Sequence, residues 1–260
     1  MAQSEGNNGN LGTNVDLQEI IKDYGLGRKA SEYGTDKDSP HSYISNFYQP
    51  LIDLIDTPNR LLEVGVWKGA SCALWKIAFP KCSVLGIDIK IKELHPVAIK
   101  FIETNQIQLI QSDAYSHSFT DSLKDKFDLI IDDGPHTIES QIKALNYFIP
   151  LLAEGGTLVI EDIQNGIVDM KKLWRSLPSH LRGNSCYLSF RSNSRRYDDA
   201  LFVYSLSPSV LWLAAKLRKE YMYWGFKAPI LHYAYEMAVE LRLLAKRVSR
   251  LPKKLNSLLN

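Results

Sequence analysis

Between residues 60 and 161 the chain alternates short, mostly apolar runs with stretches whose apolar positions recur at helical spacing. The runs at 60–66, 83–88, 106–111, 127–132 and 156–161 have the length and composition of strands covered on both faces. Helices are expected between them, near 70–79, 96–104 and 137–152. Alternating β and α elements imply right-handed crossovers and a doubly wound, mainly parallel α/β sheet. Residues 186–190 and 200–204 add two last strands, read as an antiparallel hairpin, for seven in all. Upstream, residues 15–25 form a short amphipathic helix ended by Gly25, and Ile44, Phe47, Tyr48, Leu51 and Leu54 give residues 44–55 helical spacing. After Pro208 the pattern is helical again, over 211–223 and 230–248, punctuated by Pro229 and Pro252. The chain thus divides into a polar, Asn/Gly-rich 1–14 expected to be disordered, a helical 15–57, an α/β domain over 58–205 and a helical appendage over 206–260.

Composition changes this picture only at the C-terminus. The net charge of +2 is too small to argue for nucleic acid. Cys72, Cys82 and Cys186 form neither an even framework nor a metal-type spacing, and read as reduced thiols of a cytoplasmic protein. No signal-peptide layout and no run of about 18 apolar residues is found. The appendage, however, carries ten Lys or Arg against three Glu, interleaved with Trp212, Tyr221, Tyr223, Trp224, Phe226, Tyr233 and Tyr235. One reading is an amphipathic helix on anionic lipid, placing the protein peripherally at a membrane. The preferred reading is a helical pair that packs on the domain or forms a homo-oligomer interface.

The candidate chemistry lies where strands end. The first strand runs into Glu63-Val64-Gly65-Val66-Trp67-Lys68-Gly69, whose glycines let backbone amides approach a ligand. The spacing is neither the dinucleotide fingerprint nor a P-loop, which argues against NAD and ATP. Asp88 closes the second strand, about 20 positions on, where an acid accepts hydrogen bonds from ribose hydroxyls. Asp113 follows the third. The competing reading makes Glu63 and Asp88 helix or turn caps; the glycine loop, Asp88 and Asp113 in order on three consecutive strands favour a nucleoside-type cofactor. Strand four ends in Asp132-Asp133-Gly134-Pro135-His136 and strand five in Glu161-Asp162. Four carboxylates at one crevice are costly unless a cation neutralises them, and oxygen ligands favour Mg²⁺, Mn²⁺ or Ca²⁺ over zinc. The alternative is a solvated acidic edge with caps. His136, beside such a metal, reads as a general base rather than a surface histidine.

Together these segments resemble the class I S-adenosylmethionine-dependent methyltransferases. Within them the chain is most similar to the metal-dependent sugar O-methyltransferases, the group of the mycinamicin, macrocin and polysaccharide enzymes. Tyr33-Gly34-Thr35-Asp36-Lys37 with His41 and Tyr43 matches that group's Gly-Thr-Asp-Lys segment, and the resemblance spans roughly residues 30–205. It implies Mg²⁺-dependent (or Mn²⁺-dependent) transfer of a methyl group from S-adenosylmethionine to a sugar hydroxyl of a glycan or glycosylated natural product. It further implies that Glu63, Gly65 and Gly69 cradle the methionine part, Asp88 holds the ribose and Asp113 lies near the adenine. Thr35 and Lys37 would sit in a lid over the cofactor; Asp133, Glu161 and Asp162 would hold the metal; His136, with Asp133, would carry the catalysis. One departure is Pro135, where that group commonly has Ser. A catechol-type or cephalosporin-hydroxylase-like enzyme, or a non-catalytic scaffold that kept the fold, are the alternatives. Arg191, Arg195 and Arg196 are read as a solvated loop rather than contacts to an anionic acceptor.

Overall fold

A computed structural model describes residues 15–191 and 196–222. The expectations for 1–14, Arg195, the second appendage helix and most of its aromatic residues lie outside them. The strands are β1 (Arg60–Val64), β2 (Ser83–Asp88), β3 (Ile107–Gln111), β4 (Phe127–Asp132), β5 (Leu152–Ile160), β6 (Ser185–Ser189) and β7 (Ala200–Ser205). They form one sheet in the order β3-β2-β1-β4-β5-β7-β6. The first five are parallel, and β7 runs antiparallel to both β5 and β6. The expected final hairpin is present, with its second strand inserted next to β5.

Alternation along each strand sorts the side chains onto two faces. Leu61, Leu129, Ile131, Val159, Leu201 and Val203 pack with Leu17 of α1 (Leu17–Asp23), Trp75 of α3 (Ala70–Ala78) and Val210. Leu62, Ile130, Leu158, Ile160 and Phe202 pack with Leu145 and Phe148 of α6 (Ile138–Phe148) and Leu173 of α7 (Ile167–Ser176). One-residue slips would exchange the two faces, so register is held from both sides.

Local chemistry sets the helix ends. Asp16 accepts from the amides of Gln18 and Glu19 at the start of α1, and Thr137 accepts from the Ser140 amide at the start of α6. The segment over 44–55 departs from a single helix: a π-helical turn, Ile44–Tyr48, leads into the short α2 (Gln49–Ile52), with Pro50 in its first turn. Two further helices, α5 (His117–Ser122) and α7, were not expected from the pattern. The helix expected near 96–104 is α4 (Pro96–Glu103), which precedes both. The last described helix, α8 (Pro208–Met222), buries Val210, Leu213, Ala214 and Leu217 and leaves Trp212 exposed. Among the described residues no helix is long and apolar enough to cross a membrane.

The chain leaves β1 towards β2 on one side and later returns to β4 on the other. That reversal opens a crevice at the carboxyl ends of the strands. Gly65 sits at this point with φ +84°, its amide bonded to the Ile87 carbonyl at 2.9 Å. A Cβ there would lie 2.0 Å from the Asp133 carbonyl oxygen. Gly65→Ala is therefore expected to destabilise the fold by about 3 kcal/mol or more, through left-handed strain and that clash, read as a lower urea midpoint. The three cysteines are all buried and free. Burial pushes the Cys82 thiol up to about 11 and raises Cys72 and Cys186 as well, so all three are protonated at pH 8. A thiol-labelling titration should modify none of them in the native protein and all three after denaturation.

Candidate active site

The crevice is a cavity of about 430 Å³. Gly65 to Trp67 line it from the β1 loop, Asp88 from β2, Asp113 to Tyr115 from beyond β3, Asp133 to His136 from beyond β4 and Asp162 from beyond β5. Arg28 and residues 33–36 cover it. That cover is a folded-back loop. The Thr35 amide donates to the Leu26 carbonyl and the Arg28 amide to the Thr35 carbonyl. Gly34 passes so close to Gly27 that a Cβ would meet its backbone at 2.3 Å.

Of the residues expected to contact a cofactor, Thr35, Gly65, Asp88 and Asp113 line the cavity. Asp88 also caps its own turn, accepting from the amides of Trp67 and Lys90, and Asp113 accepts from the Tyr115 amide. The capping reading and the ligand reading thus coexist, because each carboxylate oxygen carries a second lone pair. Glu63, Gly69 and Lys37 lie behind the wall instead. Gly69 precedes α3 in a left-handed conformation and packs against Ala98 of α4. Glu63 is fully buried and accepts from Cys72 Sγ.

Lys37 is the largest revision of the expected site. Its ammonium, 1 % exposed, lies 2.7 Å from Asp133 Oδ2, 2.7 Å from Glu161 Oε2 and 3.5 Å from Glu63 Oε1. Burial alone would lower its pKa, but Asp133, Glu161 and Glu63 raise it well above the ordinary value, so it stays charged. The second oxygen of Glu161 accepts from the Tyr48 hydroxyl. Glu161 is accordingly held from below, while Asp133, His136 and Asp162 face the cavity.

Those three bring their ligand atoms within 4.8 Å of one another. His136 Nε2 is 3.8 Å from both Asp133 Oδ1 and Asp162 Oδ2. Burial, then the Asp133 charge, pushes Asp162 up to about 6. A cation between the two carboxylates would remove that repulsion, and the oxygen-rich donor set suits Mg²⁺ or Mn²⁺. Glu161, expected among the metal ligands, is not one of these three: its Oε2 accepts from Lys37 and its Oε1 from Tyr48. Asp132 turns away, buried under the Tyr115 hydroxyl, and burial pushes it up to about 7. His136, which follows Pro135, takes φ +57° and lines the cavity.

Several residues position Asp162 in ways the sequence did not announce: His41 and Tyr43 entered only as part of the matched Gly-Thr-Asp-Lys segment, and Gln141 not at all. Asp162 is itself left-handed, φ +56°. Tyr43 donates to its Oδ1 at 2.7 Å, and His41 Nε2 stands 3.7 Å away. His41 is stacked on Tyr43 and held on its other nitrogen by Asp199 at 3.4 Å. Gln141, buried in α6, donates to the carbonyls of Glu161 and Asp162. Arg191, expected in a solvated loop, is 1 % exposed and donates to the carbonyls of Ile163 and Gln164. Arg196 pairs with Asp198 through two hydrogen bonds. Lys37→Met, which leaves buried carboxylates without their cation, should cost about 3–5 kcal/mol in chemical denaturation of the metal-free protein.

Comparison with known proteins bears on the same segment. Residues 62–163 match the family model described as a methyltransferase domain. Among curated proteins, the 8-demethyl-8-alpha-L-rhamnosyl tetracenomycin-C 2'-O-methyltransferase of Streptomyces olivaceus is 29 % identical over 147 residues, 54 % of this chain and 38 % of that protein. The mycinamicin VI 2''-O-methyltransferase of Micromonospora griseorubida is 29 % identical over 133 residues, 47 % of this chain and 32 % of that protein. The matches thus span well under half the length of these relatives. Among solved structures, the MycE methyltransferase of the mycinamycin pathway, in complex with Mg and SAH, superposes with a TM-score of 0.53 at 22 % identity, over 73 % of this chain and 54 % of that one. An O-methyltransferase from Bacillus cereus, in complex with SAH, gives 0.51 at 12 % identity, over 73 % of this chain and 90 % of that one. These superpositions establish the fold.

Proposed function

We propose, taking residues 62–163 as the methyltransferase domain their family match identifies, that this chain transfers a methyl group from S-adenosylmethionine to a sugar hydroxyl with the aid of Mg²⁺. The observation that carries the reading is the convergence of Asp133, His136 and Asp162 within 4.8 Å at one end of a cavity whose other walls hold Gly65, Asp88 and Asp113. The names of the relatives, two of them O-methyltransferases of glycosylated natural products, support the acceptor class.

In this reading Asp88 accepts from the ribose hydroxyls and Asp113 faces the adenine. The Gly65 turn leaves space for the methionine part. Asp133 and Asp162, with Glu161 beside them, would hold the divalent ion. When bound, the donor supplies an electrophilic methyl on a sulfonium, and the ion supplies positive charge where an acceptor hydroxyl loses its proton. His136 Nε2 takes that proton, and its left-handed backbone turns the ring into the cavity. The buried shell of Tyr43, His41, Gln141 and Arg191 holds the Asp162 turn so that the carboxylate does not move as the proton leaves.

The test is methyl transfer from radiolabelled S-adenosylmethionine to a panel of rhamnosides and catechols, with Mg²⁺ and with EDTA. Transfer to a sugar that EDTA abolishes is expected. His136→Ala should lower kcat by about 10²–10⁴-fold while S-adenosylhomocysteine binding, followed by calorimetry, is kept. EDTA-insensitive turnover, a near-normal rate in that variant, or transfer to catechols alone would each overturn the reading.

A further inference from the structure

The cavity is strongly acidic. Asp36, Asp88, Asp113, Asp133 and Asp162 line it, and among the described residues that line it Arg28 is the one Lys or Arg. Such a lining suits a sulfonium and an ammonium, but opposes a carboxylate. The proposed donor carries all three charges, since its methionine end is an α-amino acid zwitterion. Something in the wall has to receive the carboxylate.

Two nearby cations are otherwise engaged. Lys37 is buried among Glu63, Asp133 and Glu161. Lys68 Nζ lies 4.0 Å over the Tyr33 ring and 3.2 Å from Glu93 Oε2. Arg28, unlike either, lines the cavity. Its side chain is 44 % exposed, its guanidinium lies 5.8 Å over the Trp67 ring, and its Nη2 is 3.4 Å from Asp36 Oδ2. Its backbone is pinned through the Arg28–Thr35 hydrogen bond. A guanidinium has five N–H donors in a planar fork, so the contact to Asp36 leaves donors free for a carboxylate. Position agrees: Trp67 belongs to the β1 loop at the centre of the sheet, whereas Asp88 and Asp113 follow β2 and β3 further out.

We propose that Arg28 and Asp36 form a charge pair that recognises the amino-acid end of the donor, Arg28 receiving the carboxylate and Asp36 the ammonium. The cover over the cavity is then a specificity element, which separates S-adenosylmethionine and S-adenosylhomocysteine from nucleosides that lack the zwitterion. The inference rests on the donor proposed above.

Calorimetric titration of the full chain tests it with two ligands: S-adenosylhomocysteine and its decarboxylated analogue. The wild type should prefer the first by tenfold or more, the scale of one charge-assisted hydrogen bond. Arg28→Met should bring the two affinities within threefold of each other by weakening S-adenosylhomocysteine alone, and Arg28→Lys should restore part of the preference. Asp36→Asn should weaken both ligands, which share the amine. An unchanged preference in Arg28→Met overturns the assignment, as does equal weakening of both ligands, the mark of a merely structural cover. A wild type that binds neither ligand overturns the donor reading itself, whereas tight S-adenosylhomocysteine binding without a preference overturns the role of Arg28 only.

Discussion

The ammonium of Lys37 is the interaction on which the site depends. Three carboxylates from three strand ends, Glu63, Asp133 and Glu161, approach one buried nitrogen contributed by a loop far upstream. Without a cation there, like charges in a low-dielectric interior would drive the strand ends apart or force protonation. With it, the β1, β4 and β5 loops are tied to the covering segment by one side chain. The covering loop, the cavity floor and the cavity-facing carboxylates are therefore a single electrostatic unit.

A second layer of constraint acts on backbone rather than charge. Trp67, His136 and Asp162 all take left-handed conformations and all line the cavity. Each costs on the order of 1–3 kcal/mol unless its surroundings enforce it. For Asp162 the surroundings are explicit: Tyr43 on the carboxylate, Gln141 on its carbonyl and Arg191 on the two carbonyls that follow. The strained turn presents Asp162 to His136 while Glu161, its neighbour, points down to Lys37 and Tyr48.

Much of this was legible in sequence where the physics is local. Apolar runs ending in acids marked the parallel strands, because a strand covered on both faces must be apolar and its carboxyl end must be polar. The motif resemblance drawn from Glu63 to Asp162 agrees with the matched methyltransferase domain. What escaped notice depends on contacts between distant residues. Lys37 read as a cofactor contact because no pattern near it announces three carboxylates. Arg191 read as a solvated arginine because the carbonyls that bury it lie 27 and 28 residues earlier. Gln141 occupies an ordinary position on the buried face of α6 and carries no signal of its own, whereas α7 does carry one, Ile167, Met170 and Leu173 recurring at helical spacing, that the sequence reading passed over.

The direction of β7 has a kinetic side. Because it runs antiparallel to β5, its starting end meets the crevice, and the residues that precede it, Asp198 and Asp199, complete the clamp on His41 and Tyr43. The Tyr43–Asp198 contact closes a span of 155 residues. Closures of that length cost more chain entropy than the neighbouring β–α–β crossovers. The part of the cavity built by β1, β2 and β3 can thus form from nearby segments during synthesis, while the wall beside Asp162 waits until residues near 200 have left the ribosome.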